Sequence, residues 1–311
     1  MRICDFLFVL RPVILIPAWS FYLIGAAGRP AGILRPAGVL PPLEPFACLT
    51  AILITAYLLN QIFDRESDER NRKCLFISAG VFRTRTLVLM ALIFFLIASH
   101  LFHRIGVSAR PALLTALLLS LLYSLPPIRL CARPFFDLLA NAVGYGGIAF
   151  VIGFEAAHGS TARAAWLAVP YVFLVASTFL HTTILDVEGD RAAGKISTTV
   201  RIGVRRSVVL AAVLHALAVA AAVVTMNSSA IVITAVSFPV TVISVFNRGK
   251  AISSFVIQAN TLIVTAAAAV AWPAYLAVGV PLILLSRFYH RKRFGVTYPG
   301  PGPHPDPERT A

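Results

Sequence analysis

The chain has 311 residues, of which 58% are hydrophobic and 13% are charged, and its mean hydropathy is +0.83. A soluble globular domain carries about 25% charged residues, so this composition excludes an ordinary soluble domain. The net charge of +14 at pH 7 is compatible with an acidic partner such as nucleic acid, unless the basic residues have another reason for their positions.

Long apolar segments recur along the whole chain, separated by charged or Pro/Gly-rich breaks. Most are long enough to cross a hydrocarbon core of ~30 Å as a helix. The last two are separated only by Trp272-Pro273. The sequence therefore predicts an all-α fold, a polytopic transmembrane helical bundle of nine to ten spans. In chain order the predicted spans are 6–27, 43–63, 86–103, 111–125, 135–156, 164–185, 207–225, 229–246, 253–271 and 274–289.

The basic residues are distributed unevenly between the two sides that these spans define. When the amino terminus and the loops after even-numbered spans share one side, the other side holds only Arg29, Arg35, Arg104, Arg110 and Arg163. Cytoplasmic loops of membrane proteins carry such an excess of Lys and Arg. We therefore expect a multi-pass membrane protein with both termini in the cytoplasm. Its basic side would attract anionic membrane lipid, and we expect no nucleic-acid partner.

More than half of the 13 acidic residues fall in two short segments, at the predicted cytoplasmic ends of spans two and six. Residues four apart lie on one face of a helix. Asn60, Asp64 and Asp68 therefore form one stripe, and Asp186 and Asp190 form another. Like charges crowded at a membrane surface repel one another, so this arrangement indicates a ligand that the carboxylates share.

The other acidic residues of these segments, Glu66, Glu69 and Glu188, are rotated away from the two stripes, and we expect them to be exposed. Two facing stripes form a strongly negative pocket. Mg²⁺ suits such a pocket because it takes oxygen ligands, keeps several waters, and shares phosphate oxygens with one or two carboxylates. Carboxylates alone would repel a diphosphate, so a bridging metal is required. The sequence therefore predicts that the four aspartates are Mg²⁺ ligands.

Four motifs match the signatures of one family of membrane enzymes. Residues 60–68 match N-x-x-x-D-x-x-x-D at the end of helix two, and residues 186–195 match D-x-x-G-D-x-x-x-G-K at the end of helix six. Residues 123–130 read Y-S-L-P-P-I-R-L and resemble the Y-S-x-P-P-x-R-L stretch after helix four. Arg11, followed by proline, resembles the Arg-Pro pair that opens helix one. Over roughly residues 6–270 the chain resembles the UbiA superfamily of intramembrane prenyltransferases.

The resemblance implies a helical bundle, usually of nine spans, with a central cavity that opens laterally to lipid. The aspartates would bind a polyprenyl diphosphate through Mg²⁺, with the prenyl tail in the membrane. Ionisation would release diphosphate and give an allylic cation that alkylates a lipophilic acceptor, typically an aromatic one. The catalytic residues would be Asp64, Asp68, Asp186, Asp190 and Tyr123.

Further polar residues are candidates for binding the substrates. Cations in the loops that follow the aspartates could neutralise the diphosphate as it leaves. An ionisable residue just inside span five is costly and indicates a function or a polar partner, and an asparagine follows it four residues later. The candidates are Asn60, Arg72, Lys73, Lys195, Arg11, Asp137 and Asn141.

Three features depart from the family pattern. Gln61 stands where many relatives carry a further Asp, and Cys131 stands where relatives often carry Lys. Residues 71–80 lack the R-P-L-x-x-G stretch of the quinone-pathway members. These departures leave the acceptor open, and the alternatives are a terpene cyclase or a transferase with a lipid or sugar-phosphate acceptor. A divalent-cation transporter is less favoured because the acids lie at span ends rather than near the bilayer midplane.

The chain divides into a membrane domain and a tail. We expect one UbiA-like transmembrane domain over residues 1–290. Residues 291–311 are first basic and then rich in proline and glycine, a composition that cannot bury a core. We expect this tail to be a disordered cytoplasmic segment.

Overall fold

The computed structural model describes residues 3–28, 40–71, 75–159, 161–296 and 298. All regular structure in these ranges is helical, so the all-α prediction is confirmed. The helices up to residue 158 are α1 (Ile3–Val9), α2 (Pro12–Ala27), α3 (Leu43–Phe63), α4 (Arg65–Arg70), α5 (Leu75–Ser78), α6 (Thr84–Arg104), α7 (Arg110–Ser124), α8 (Phe136–Asn141) and α9 (Ala149–His158). The later helices are α10 (Thr161–Ala192), α11 (Thr198–Ile202), α12 (Val204–Val224), α13 (Ser228–Phe246), α14 (Lys250–Ala271) and α15 (Leu276–Phe294). A π-helical segment, Ala142–Ile148, joins α8 to α9.

Seven helical segments of the described chain are long and apolar enough to cross a membrane. Helices α1 and α2 give an eighth if the pair, bent by 47°, counts as one span. The prediction of an integral membrane helical bundle is confirmed, but the prediction of nine to ten spans is not. The seven segments are Leu43–Phe63, Thr84–Arg104, Phe136–His158, Ala162–Ala192, Val204–Val224, Ser228–Phe246 and Lys250–Ala271.

Two predicted spans account for the difference between ten spans and the eight obtained when α1 and α2 count as one. The segment predicted at 111–125 is α7, which has 15 residues, fewer than the ~20 that a crossing needs. The segment predicted at 274–289 is part of α15, whose last turns carry a series of basic side chains from Arg287 onward. Its apolar part is therefore shorter than the helix. The apolar pattern alone therefore predicts more spans than there are helices both long enough and apolar enough to cross a membrane.

The junction of α1 and α2 turns the chain sharply at Arg11-Pro12. Proline has no backbone N–H, and it disfavours the helical conformation in the residue before it. Arg11 adopts a left-handed conformation with φ +53°, so α1 and α2 follow different axes. The Arg11 side chain reaches Asp68 on α4.

Helix α10 is longer than a membrane crossing requires. Its 32 residues rise about 48 Å at 1.5 Å per residue, whereas the hydrocarbon core is ~30 Å thick. The helix continues without a break through Asp186 and Asp190 to Ala192. The second aspartate motif therefore lies on regular helix near the carboxyl end of α10, with its four-residue spacing intact.

Helices α2 and α9 pack with their backbones in close contact. A Cβ atom added at Gly153 would lie 2.0 Å from the carbonyl oxygen of Tyr22, and one at Gly25 would lie 2.2 Å from that of Phe150. Small residues permit such an approach between helices in lipid. The pair of glycines sets the distance between these two helices.

We expect Gly153→Ala to lower the melting temperature of the purified protein. The added methyl group overpacks the contact, which typically costs about 1–3 kcal/mol of unfolding free energy. Gly279→Ala is the matched control, because a Cβ there meets no atom within 4 Å. Equal melting temperatures for wild type and Gly153→Ala would contradict the packing argument.

Candidate active site

The first aspartate motif spans a break between α3 and α4. Helix α3 ends at Phe63 and α4 begins at Arg65, yet the Asp64 N–H donates to Asn60 O at 2.8 Å and the Asp68 N–H donates to Asp64 O at 2.8 Å. The helical hydrogen-bond pattern thus continues through the break. The predicted stripe keeps its spacing, and Asn60 Nδ2 donates to Asp64 Oδ2 at 3.0 Å.

Asp64 is a buried carboxylate held between two cations. It is 4% exposed, and it accepts hydrogen bonds from Arg129 Nη2 at 2.7 Å and from Lys195 Nζ at 2.9 Å. Burial alone would raise the pKa of Asp64, but Lys195 and Arg129 outweigh burial and hold it below its usual value. Asp64 is therefore ionised.

Lys195 connects the two aspartate motifs. Its ammonium nitrogen lies 2.9 Å from Asp64 Oδ2 and 3.9 Å from Asp190 Oδ1. Burial would lower the pKa of Lys195, but the two aspartates raise it well above its usual value, so the side chain is charged. One positive charge thus lies between a carboxylate of each motif.

A cavity of about 60 Å³ lies beside this ion cluster. Asp186 and Asp190 line it from α10, Lys195 from the following loop, Tyr123 from α7 and Asp137 from α8. Five residues predicted from distant parts of the sequence therefore share one cavity at one end of the bundle.

Two further predicted residues, Arg11 and Asp68, form an ion pair at the same end. Arg11 Nη2 lies 3.1 Å from Asp68 Oδ2, so Asp68 faces the α1–α2 junction and is not part of the cavity wall. The four aspartates do not point at a single centre. The predicted residues Arg72 and Lys73 and the tail segment 299–311 lie outside the described residues.

Asp137 has the polar partners that an ionisable residue inside a span requires. Its carboxylate accepts hydrogen bonds from the backbone N–H groups of Thr198 and Leu138, each at 2.8 Å, and from the Thr198 hydroxyl. Asn141, the other predicted residue of this face, donates to Asp137 O at 3.3 Å. Asp137 fixes the start of α11 against α8, and this contact orders the loop that carries Lys195.

The glutamates of the two acidic segments lie away from the cavity, as predicted. All three are exposed, and each pairs with a basic residue at the surface. The pairs are Glu66 with Arg70, Glu69 with Arg65, and Glu188 with Lys250. The stripes predicted from helical spacing therefore separate the buried and half-buried carboxylates from the exposed ones.

Several contacts of the site were not predicted from the sequence. Arg129, which pairs with Asp64, belongs to the Y-S-L-P-P-I-R-L stretch, so its motif was a usable signal. Cys131 Sγ lies 3.7 Å from Asp64 Oδ1, and burial together with the Asp64 charge raises the pKa of this thiol to about 12. Asn71 forms hydrogen bonds to α10, and Thr198 forms hydrogen bonds to Asp137. No pattern in the sequence marks either residue.

The residues present suit a cation that is shared with a ligand. In the described part of the chain, no three Asp, Glu, His or Cys side chains are placed to hold one metal ion together. Mg²⁺ commonly binds through one or two carboxylates, completed by waters and substrate phosphates. The ammonium of Lys195 already lies between Asp64 and Asp190, so the negative electrostatic potential of these two carboxylates favours a cation at this position. The donor set therefore fits Mg²⁺ bound together with a phosphate-bearing molecule.

The sequence profile of the UbiA prenyltransferase family matches residues 14–252. The chain belongs to this family. Both aspartate motifs lie within the matched range, so the UbiA resemblance read from them is confirmed. Helices α1 and α15 lie outside it.

Several known proteins resemble this chain. A lycopene elongase/hydratase from Corynebacterium glutamicum is 32% identical over 174 residues, which are 53% of this chain and 59% of that protein. The chain thus spans less than two thirds of the length of this curated relative. A UbiA homolog from Archaeoglobus fulgidus bound to GPP and Mg²⁺ has 21% identity and a TM-score of 0.69, covering 88% of this chain and 99% of that one.

A digeranylgeranylglyceryl phosphate synthase structure has 17% identity and a TM-score of 0.60, covering 86% of this chain and 98% of that one. At these identities the structural likeness establishes the fold. The UbiA family fold therefore extends over most of the chain, including helices beyond the matched profile.

Proposed function

We propose that this UbiA-family chain transfers a prenyl group from a polyprenyl diphosphate to a lipophilic acceptor, with Mg²⁺ and with release of diphosphate. The supporting observation is the position of Lys195 between Asp64 of the first motif and Asp190 of the second, at the edge of a cavity. We also propose that this end of the bundle faces the cytoplasm, since most basic residues fall on that side.

The charged residues of the site would bind the diphosphate headgroup. The two motifs, Asp64 with Asp68 and Asp186 with Asp190, would each supply one or two oxygen ligands to Mg²⁺ that is shared with the diphosphate. When bound, Mg²⁺ would neutralise the negative charge of the diphosphate and of the leaving group. Lys195 and Arg129 now neutralise Asp64. With Mg²⁺ bound at Asp64, Lys195 and Arg129 would be available to bind the diphosphate oxygens.

The reaction breaks the bond between the allylic carbon and the diphosphate oxygen, and the electron pair leaves with diphosphate. A double bond of the acceptor then supplies the electron pair of the new carbon–carbon bond. The acceptor cation ends the reaction by losing a proton, or by adding water and then losing a proton from it; in both routes the released diphosphate can accept the proton. Tyr123 lines the cavity and presents an aromatic ring that could stabilise a cation. Phe179, on the same wall, helps to exclude water.

The class of acceptor is the open part of this function. Family membership makes an aromatic acceptor the first candidate, although the aspartate motifs themselves do not distinguish between acceptors. The similarity to lycopene elongase/hydratase favours a linear polyene instead, at 32% identity over 174 residues. We propose a lycopene-like polyene as a second candidate acceptor. The likeness to digeranylgeranylglyceryl phosphate synthase is a likeness of fold, so a glycerol-phosphate lipid belongs in the test as an alternative.

A direct assay distinguishes these acceptors. Purified protein in nanodiscs would be incubated with Mg²⁺, prenyl diphosphates of increasing chain length, and lycopene, aromatic or glycerol-phosphate acceptors. We expect acceptor-dependent release of diphosphate and a product heavier than the acceptor by one prenyl group, or by one prenyl group and one water where the acceptor cation is hydrated, measured by mass spectrometry. Acceptor-independent release with a cyclised prenyl product would instead support the cyclase. Folded protein that is inactive with every pair would contradict a transferase.

Removing the metal should abolish the reaction. Treatment with EDTA is expected to stop diphosphate release, because the carboxylates that line the cavity would repel a diphosphate without a bridging cation. Adding back Mg²⁺ should restore the rate, and Na⁺ at equal ionic strength is the control. Full activity in EDTA would contradict the proposed metal dependence.

A further inference from the structure

Asn71 forms a second link between the two aspartate motifs. It directly follows the six-residue helix α4, and its side chain reaches across to α10. Asn71 Oδ1 accepts a hydrogen bond from the Gly189 N–H at 3.1 Å, and Asn71 Nδ2 donates to Asp190 Oδ1 at 3.3 Å. A backbone N–H can only donate and a carboxylate can only accept, so these two partners fix the orientation of the amide.

Gly189 is what allows this side chain to lie against α10. A Cβ atom at Gly189 would lie 2.2 Å from Asn71 Oδ1 and 2.3 Å from Asn71 Cγ, so any other residue would push the amide away. Gly189 lies inside a helix, where glycine is less favourable than alanine. Its place in the second motif therefore has a packing reason, namely contact with the residue that follows the first motif.

The amide group suits this position better than a charged group would. Asp190 is buried, at 3% exposed, and Lys195 approaches its carboxylate from the following loop. A neutral amide can donate to Asp190 and accept from α10 without adding charge, whereas a carboxylate would repel Asp190. Asn71 and Lys195 thus tie Asp190 to the segment that bears Asp64.

We propose that Asn71 is a positioning residue that sets the separation of the two aspartate motifs by binding Gly189 and Asp190. It acts through Asp190 and not by contact with the diphosphate, and this inference rests on the proposed function. Without Asn71 the end of α4 loses its direct hydrogen bonds to α10. The carboxylates of the two motifs would then hold a shared metal–diphosphate ligand less tightly.

The test uses three variants and a binding measurement. Asn71→Ala, Gly189→Ala and the double variant would be titrated with a non-reactive prenyl thiodiphosphate in the presence of Mg²⁺ by calorimetry. We expect Asn71→Ala to weaken binding by about tenfold, the lower end of the effect of residues that support metal ligands. Gly189→Ala should weaken it at least as much, because the new methyl group displaces Asn71.

The double variant carries the decisive comparison. We expect the double variant to bind the thiodiphosphate as weakly as Asn71→Ala alone, because the methyl group added at position 189 no longer has an amide to displace. If the two substitutions acted independently, their fold-losses in affinity would multiply. If Gly189→Ala does not fold, recovery of folding in the double variant supports the same contact. Gly279→Ala, with open space around its Cβ, is the control for a glycine replaced in a helix. Turnover assays should show a raised KM for the prenyl diphosphate with a smaller change in kcat.

The outcomes separate the two proposals. Unchanged binding in Asn71→Ala, or multiplied losses in the double variant, would overturn the role of Asn71 and leave the proposed function standing. Failure of wild-type protein to bind the thiodiphosphate with Mg²⁺ would overturn the proposed function and this inference together.

Discussion

Asp64→Asn is expected to lower the rate of prenyl transfer by about 10²–10³-fold, the loss seen when one electrostatic partner of a transition state is removed. Asp64 is buried, and it pairs with Lys195 at 2.9 Å and Arg129 at 2.7 Å. Asparagine keeps the shape of the side chain but removes the charge that would bind Mg²⁺. The rate would be measured as diphosphate release at saturating substrate.

Glu66→Gln is the matched control for Asp64→Asn. It removes one carboxylate charge two residues away, but Glu66 has a 70% exposed side chain and pairs with Arg70 in a surface ion pair. Such pairs contribute little, so we expect a rate within about twofold of wild type. Melting temperatures should be recorded for both variants, because Asp64→Asn also leaves two cations with a weaker partner. A wild-type rate in Asp64→Asn would remove this residue from the metal site.

Asp186→Asn is expected to cause a loss of similar size, about 10²–10³-fold. Asp186 and Asp190 line the cavity from successive turns of α10, and the proposed function gives them the second set of oxygen ligands. The weakened metal site should also require more Mg²⁺ for half-maximal rate. A Mg²⁺ titration of diphosphate release measures both effects.

Glu188→Gln tests whether charge alone accounts for the effect of Asp186→Asn. Glu188 lies on the same helix, with a 77% exposed side chain that pairs with Lys250. We expect its rate and Mg²⁺ requirement to stay close to wild type. If both variants lose activity equally, the acidity of this helix end matters in general and Asp186 has no special role.

The local features of the site could be predicted from the sequence because they depend on residues close together in the chain. The apolar segment predicted at 43–63 coincides with α3, since a helix that crosses lipid must be apolar along its length. The four-residue spacing of Asp186 and Asp190 specified one helical face, and it correctly separated them from Glu188. The family also followed from these motifs.

The pairing of distant residues could not be predicted in the same way. Lys195 and Asp64 are 131 residues apart, and Asn71 and Gly189 are 118 apart. Their contacts depend on how α4 packs against α10, which no local periodicity specifies. Likewise, the pattern around Asp137 indicated a need for a polar partner but did not identify Thr198.

The sequence by itself determined that this is a membrane helical bundle of the UbiA family with two aspartate motifs, because hydrophobic length and helical spacing are properties of consecutive residues. Only the tertiary structure decided which basic side chain pairs with which carboxylate. It also decided that Asp68 forms an ion pair with Arg11 and that Asn71 forms hydrogen bonds to α10. These contacts arise from the angles and distances at which separate helices pack, and those are set by the whole bundle.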